Sequence, residues 1–106
     1  MPKYLGLTKF TAEGMKGLRS GGAAARVDVV RSLIEGIGGK LEAYYFAFGE
    51  VDVYAIFDVP NDEVATAISL AANESGAASA QIVKLLTPEQ VDEAHKVNVG
   101  YRPPGQ

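Results

Sequence analysis

The stretch that decides the fold is LEAYYFAFGEVDVYAIFDV, residues 41–59, the densest run of aromatic and β-branched residues in the chain. Gly49 and Glu50 interrupt it once, so the pattern predicts two antiparallel strands joined by a two-residue turn, with Gly49 at positive φ. In that register Tyr45 lies opposite Tyr54. Both faces of this hairpin carry apolar side chains, so both need cover.

The flanking sequence predicts the other elements by its periodicity and its capping residues. Alternating apolar residues predict a first strand over Lys3–Phe10, and the glycines of residues 11–22 indicate an ordered loop. A stripe of apolar residues from Ala23 to Ile37 predicts an amphipathic helix over 23–35, ended by glycines. Its expected inward members are Ala23, Val27, Val30, Ile34 and Ile37.

The second half of the chain is predicted in the same way. Asn61 is expected to cap a helix that ends at Ser75-Gly76, followed by a strand over residues 78–86. The expected inward residues of that helix are Val64, Ala67, Ile68, Ala71 and Ala72. Thr87, Pro88 and Gln90 predict a capping box and a short last helix to about Lys96.

This order of elements predicts a single α+β domain over residues 1–106, with residues 97–106 as a tail. It is the ferredoxin-like βαββαβ arrangement: a four-stranded antiparallel sheet, helices on one face and one extra C-terminal helix. Helices cover one face only, so we expect a second copy to cover the other, giving a dimeric α+β barrel, a homodimer or a multiple of it. The uncovered face is expected to carry Tyr4, Thr8, Tyr45, Asp52 and Tyr54.

Composition excludes several classes of function. The chain has 106 residues, no cysteine and one histidine, which excludes disulfides and thiolate chemistry and leaves no ligand set for a zinc or copper site. The net charge of −3, without a basic run, argues against nucleic acid and anionic membranes as partners. We therefore expect a cytoplasmic protein with neither metal nor cofactor.

A family resemblance lies on the hairpin and its flanks. The segment YYFAFGEVDVYAIFDVP, with GGKLEA before it and LLTPEQVDEA after it, resembles the GYD-domain family of small bacterial and archaeal proteins. The likeness extends from about Pro2 to Gly105. Gly49 and Asp52 match the family's short signature, and Val51 stands where its tyrosine is usual. The resemblance implies a ferredoxin-like domain of the dimeric α+β barrel kind and brings no established activity.

The position of Asp52 allows two interpretations, one catalytic and one structural. If it faces a cavity, burial raises the pKa of a carboxyl group and suits it to general acid or base catalysis. If it accepts the backbone N–H groups of the Gly49-Glu50 turn, it is structural, and we favour that reading because aspartate beside tight turns commonly has that role.

The tyrosines also allow two interpretations, a ligand site and a dimer interface. With Thr8, the residues Tyr4, Tyr45 and Tyr54 suit either a small polar aromatic ligand or a dimer interface, and the interface is favoured. Asp92 and His95 form a conceivable proton-transfer pair, but we expect both on a solvated helix end.

The sequence names no catalytic residue and leaves three classes of function open. We prefer a small-molecule-binding or regulatory oligomer. A cofactor-free enzyme, such as a monooxygenase or isomerase, is an alternative by analogy of fold alone. A purely structural assembly module is the third.

Overall fold

The computed structural model describes all residues, Met1–Gln106, as an α+β protein with a four-stranded sheet and four helices. The strands are β1 (Lys3–Phe10), β2 (Lys40–Phe46), β3 (Val53–Asp58) and β4 (Ala78–Leu85). The helices are α1 (Ala12–Gly21), α2 (Ala23–Gly36), α3 (Asp62–Glu74) and α4 (Pro88–His95).

The sheet has the order β2-β3-β1-β4, and every neighbouring pair is antiparallel. Strand β1 is therefore central, with β3 on one side and β4 on the other. Leu7 lies opposite Tyr54 of β3 and Gln81 of β4, which fixes the register across the middle of the sheet. Successive residues of a strand point to opposite faces, so this register assigns every strand residue to one face.

The core lies between the sheet and two helices that cover the same face. Its buried cluster is contributed by β1, β3, α2, α3 and the residue after β3: Tyr4, Phe57, Ile34, Ala65 and Val59. The rings of Tyr4 and Phe57 stack with their centroids 5.8 Å apart. Tyr4 is only 3% exposed, so its expected position on the uncovered face was wrong: it packs under the helices. Thr8, which lies opposite the fully buried Val53, shares that covered side.

The hairpin has the predicted register but not the predicted turn. Tyr45 lies opposite Tyr54, as expected. A bulge between Leu41 and Ala43 shifts the register by one residue at the start of β2, so that Leu41 lies opposite Phe57. The strands end at Phe46 and begin again at Val53, so the connection is residues 47–52 and not a two-residue turn. Gly49 is not at positive φ, because the wider loop does not require the left-handed conformation.

Asp52, the last residue of this loop, is fixed by backbone hydrogen bonds on both sides. The N–H of Asp52 donates to the Thr8 carbonyl oxygen at 2.8 Å, while its own carbonyl accepts from the Ala47 N–H at 2.8 Å. Asp52 is thus hydrogen-bonded to β1 as well as to the end of β2.

Residues 12–21 form helix α1, so the expected loop was wrong. The Thr11 hydroxyl accepts from the Gly14 N–H at 3.2 Å and donates to the Gly76 carbonyl at 2.9 Å, which caps the helix and ties it to the segment before β4. A Cβ at Gly14 would lie 2.0 Å from the Ala77 carbonyl oxygen. Glycine lowers helix propensity, but here it allows close packing against a neighbouring backbone, and packing prevails.

The remaining helices begin and end as predicted. The Asn61 side chain accepts from the Val64 N–H at 2.9 Å, and Thr87 forms the full capping box with Gln90. The inward stripes were partly wrong. Val27, Val30 and Ile34 of α2 and Val64, Ile68 and Ala72 of α3 are at least partly buried; Ala65 is buried in place of Ala67 and Ala71, and Ala23 and Ile37 are exposed.

Residues 86–106, which we call the C-terminal arm, extend away from the rest of the chain. Every residue of the arm is exposed. The molecule is 56 Å long and its radius of gyration is 16.8 Å, whereas a compact chain of this length has a radius of about 13 Å. The arm therefore leaves the core without packing on it.

The close approach at Gly14 gives a matched pair of substitutions within α1. Gly14→Ala is expected to lower the free energy of unfolding by about 1–3 kcal/mol, because the added methyl group collides with the Ala77 backbone. A Cβ at Gly17 would meet no other atom within 4 Å. Gly17→Ala is therefore expected to raise the free energy of unfolding by about 0.5–1 kcal/mol, because alanine has the higher helix propensity. Urea unfolding followed by circular dichroism measures both. Equal effects of the two substitutions would contradict this packing of α1.

Candidate functional site

The structure divides the predicted site residues between the two sides of the sheet. Tyr45 and Tyr54 lie together on the face without helices, at opposed positions of β2 and β3. Tyr4 and Thr8 lie on the covered face. Asp52 lies in the loop before β3, and Gly49 lies in the same loop. The five expected ligand-binding residues therefore do not form one site.

The uncovered side, which we call the open face, is more apolar than the sequence suggested. Side-chain alternation and register place on it Leu5, Leu7, Ala43, Tyr45, Tyr54, Ile56 and Val83. Tyr45 is 70% exposed and Tyr54 is 42% exposed. Leu5 and Leu7 of β1 were missed as site residues, although the alternation of β1 already predicted that they face away from Tyr4.

The Asp52 carboxylate has a different hydrogen-bond partner from the expected one. Its Oδ2 accepts the Phe10 N–H at 2.8 Å, not an N–H group of the Gly49-Glu50 turn. This bond satisfies a backbone donor at the end of β1, where the strand gives way to the cap of α1. The carboxylate thus fastens the hairpin loop to the central strand.

A polar cluster on the covered face joins Tyr4, Asp62 and Lys84. The Tyr4 hydroxyl donates a hydrogen bond to Asp62 Oδ1, and Lys84 Nζ donates to Asp62 Oδ2 at 3.2 Å. Asp62 is the first residue of α3, where a carboxylate also interacts favourably with the helix dipole. Its two partners, Tyr4 and Lys84, lie far away in the sequence and had no local signal.

The charges in this cluster determine what it can do chemically. Burial, and next the hydrogen bond to Asp62, raise the pKa of Tyr4 to about 12. The Tyr4 hydroxyl and then Lys84 hold the pKa of Asp62 below its usual value. A phenol with so high a pKa stays protonated near neutral pH and keeps donating to Asp62, so the cluster connects β1, α3 and β4.

A shallow groove lies on the covered side, between α1, α2 and the start of β4. It has a volume of about 380 Å³, and its walls include Phe10, Leu18, Val29 and Ala78, with Glu13 and Arg26 as its charged members. The volume is within the range of small-molecule sites. Its walls are otherwise mainly glycine and alanine, which offer few groups to orient a ligand.

The remaining candidates add no centre of reaction. Asp92 and His95 lie on the exposed helix α4, as expected of a solvated helix end. No three His, Cys, Asp or Glu side chains cluster closely enough to hold a metal ion. None of the helices has both the length and the apolar character that a bilayer span requires.

Comparison of the sequence with protein-family models gives one match. A family model described as the GYD domain matches residues 4–95, from the buried tyrosine of β1 to the end of α4. The chain belongs to the GYD domain family. No curated protein and no solved structure matches this GYD domain. The match covers the sheet and all four helices, while the chain beyond His95 lies outside it.

The polar cluster predicts how the stability of this GYD domain depends on alkaline pH. The pKa of Tyr4 is about 12 in the folded chain against an ordinary value of 10.0. Because the unfolded tyrosine loses its proton first, the stabilisation is complete below pH 10.0 and is lost as the pH rises towards 12. Tyr4→Phe should therefore be less stable than the wild type at neutral pH, and the difference should shrink above pH 10.0.

Urea unfolding of both proteins at a series of pH values measures that difference. Tyr101→Phe, in the exposed arm, is the control and should match the wild type throughout. A stability difference for Tyr4→Phe that stays constant across the alkaline range would show that the Tyr4 hydroxyl is not held by Asp62.

Proposed function

We propose that this protein is a homodimeric α+β barrel of the ferredoxin-like type that binds a small molecule between its subunits. The observation that carries the proposal is the open face. Leu5, Leu7 and Ile56 form an apolar centre there beside two exposed tyrosines, and the helices that pack on the sheet lie on its other side. Apolar surface of this kind is a usual mark of an interaction site.

The edges of the sheet favour association through the face. On β4, the Asn73 side chain accepts the Ala80 N–H at 2.8 Å and donates to the Ala80 carbonyl at 3.0 Å, so part of that edge is already satisfied. On the other edge, the bulge between Leu41 and Ala43 makes the pairing of β2 with β3 irregular. Both devices discourage pairing by strand addition. Two sheets packed face to face leave these edges as they are and bury the apolar centre.

The same face suggests the ligand class. Tyr45 and Tyr54 present hydroxyl groups beside aromatic and aliphatic carbon, and a two-fold axis supplies this set twice. A small, flat, largely apolar molecule with a hydrogen-bonding group fits such a lining. The earlier candidates Tyr4, Thr8 and Asp52 are not part of this site, because they face the core or bond to the backbone.

The cofactor-free enzyme rests on analogy of fold alone, and no side-chain arrangement in this chain favours it. A structural assembly module needs the same dimer without a molecule inside it. The presence of a bound molecule therefore separates the proposal from the structural module.

The dimer is tested by placing a charge on the open face. Tyr45→Glu should weaken dimerisation by about 100-fold, because two-fold symmetry buries the carboxylate twice within an apolar interface. Multi-angle light scattering over a concentration series measures the change. Ala67→Glu, on the exposed side of α3, is the matched control and should remain dimeric. A wild type that is monomeric at micromolar concentration, or a Tyr45→Glu variant that dimerises normally, contradicts the proposal.

The ligand is tested by native mass spectrometry of the protein purified without denaturation. We expect a small molecule bound to the dimer, lost in Tyr45→Ala and kept in Val29→Trp, which fills the groove between α1 and α2. The reverse pattern would assign the molecule to the groove and contradict the site between subunits. A wild-type dimer with no bound molecule would favour the structural module.

A further inference from the structure

The C-terminal arm is a well-formed structural unit that packs on nothing in its own chain. The Gln90 N–H donates to the Thr87 hydroxyl at 3.1 Å and the Thr87 N–H to the Gln90 side chain at 2.8 Å, which completes the capping box of α4. Isolated helices as short as α4 are marginal in water. All residues of this capped eight-residue helix are exposed, so it gains little stability from its own chain and would gain more from a surface to pack against.

The arm also carries the apolar side chains for such a contact. Leu86 and Val91 occupy the positions before the N-cap and at the fourth helical residue, which commonly pack together at helix starts. Beyond α4, Val97, Val99 and Tyr101 alternate along the chain and are 65%, 77% and 73% exposed. These side chains lie on one continuous segment, so a single partner surface could cover them.

Charge indicates which surface that is. Glu89 and Asp92 give α4 an acidic side, while Glu93 is paired with Lys96 at 2.9 Å. Two lysines lie on the open-face side of β1. Lys3 is held by Glu42 and lies 3.2 Å from Asp58 Oδ1, whereas Lys9 contacts only the Glu50 carbonyl oxygen, at 3.4 Å. Lys9 thus has no carboxylate partner; Lys40, opposite Asp58 on edge strand β2, is also unpaired but lies at the other end of the sheet.

The arm and Lys9 of the same chain lie at opposite ends of the sheet. Lys3 pairs with Leu85, where β4 ends and the arm begins, and Lys9 pairs with Ser79 at the other end. Six strand residues separate those ends by about 20 Å. If two sheets pack face to face with their strands antiparallel, the Lys9 end of one copy lies beside the arm of the other.

We propose that the C-terminal arm of each subunit packs along the rim of the second copy's open face, with Glu89 and Asp92 against Lys9 of that copy. The inference rests on the proposed dimer and adds to it the arm as a second contact and the relative direction of the two sheets. It gives the exposed apolar residues of the arm a partner, and it gives Lys9 its counter-charge.

The absence of cysteine from the chain allows a clean cross-linking test. Lys9→Cys protein is mixed with isotopically labelled Asp92→Cys protein, allowed to exchange subunits and treated with a short bismaleimide. We expect a cross-linked dimer of one labelled and one unlabelled chain. The control pair, Lys16→Cys with Asp92→Cys, places the first thiol on exposed α1 and should not cross-link.

Charge reversal tests the same contact without a cross-linker. Lys9→Glu and Glu89→Lys/Asp92→Lys should each raise the dimer dissociation constant by about tenfold, and the combined variant should recover most of the affinity. Lys16→Glu is the control and should change little. Recovery in the combined variant requires a direct contact, which a general effect of charge would not produce.

The outcomes separate this inference from the dimer itself. A stable dimer that Tyr45→Glu disrupts, but that neither cross-links through these residues nor responds to charge reversal, overturns the arm contact and leaves the dimer in place. A cross-link within one chain of a Lys9→Cys/Asp92→Cys protein also overturns it. A monomeric wild type overturns both proposals.

Discussion

One-sided cover of a four-stranded sheet is the constraint on which this structure depends. Strand β1 lies at the centre, with Tyr4 directed towards the helices and Leu5 and Leu7 directed away from them. The side with helices has a buried core of aromatic and aliphatic residues. The other side has similar apolar residues and no helix from this chain packed against them. The helices that pack on the sheet lie on one face, so the apolar surface of the other face is left without cover from this chain.

Local features of the sequence predicted most of the architecture, since they depend on a few neighbouring residues. The bounds of β1, the caps at Asn61 and Thr87 and the glycine stop after α2 were all confirmed. Helix α1 was missed, because Thr11 and Gly14 gain their main contacts from residues more than sixty positions away. A hydrogen bond to Gly76 and close packing on Ala77 leave no trace in local propensity.

The candidate site was harder to predict for the same reason. The alternation of β1 separated Tyr4 from Leu5 correctly, but alternation does not say which side the helices will cover. Tyr4 was expected on the open face with Thr8, so the wrong side of β1 was taken as the uncovered one. In the fold the Tyr4 hydroxyl reaches Asp62, a partner from a distant helix that satisfies a buried phenol. Asp52 was likewise expected to bond to the turn beside it, whereas its carboxylate accepts the Phe10 N–H, a partner that depends on long-range pairing.

Helix α1 also has a consequence for motion. It contains three glycines, has no fully buried residue, and its cap residue Thr11 bonds to Gly76 outside the helix. Such a segment has a low free energy of local opening, so its amide hydrogens should exchange with solvent sooner than those of the central strand. When α1 detaches, the groove beside Phe10 and Val29 loses a wall and the floor beneath it becomes accessible. The width of that groove therefore depends on how firmly α1 stays docked.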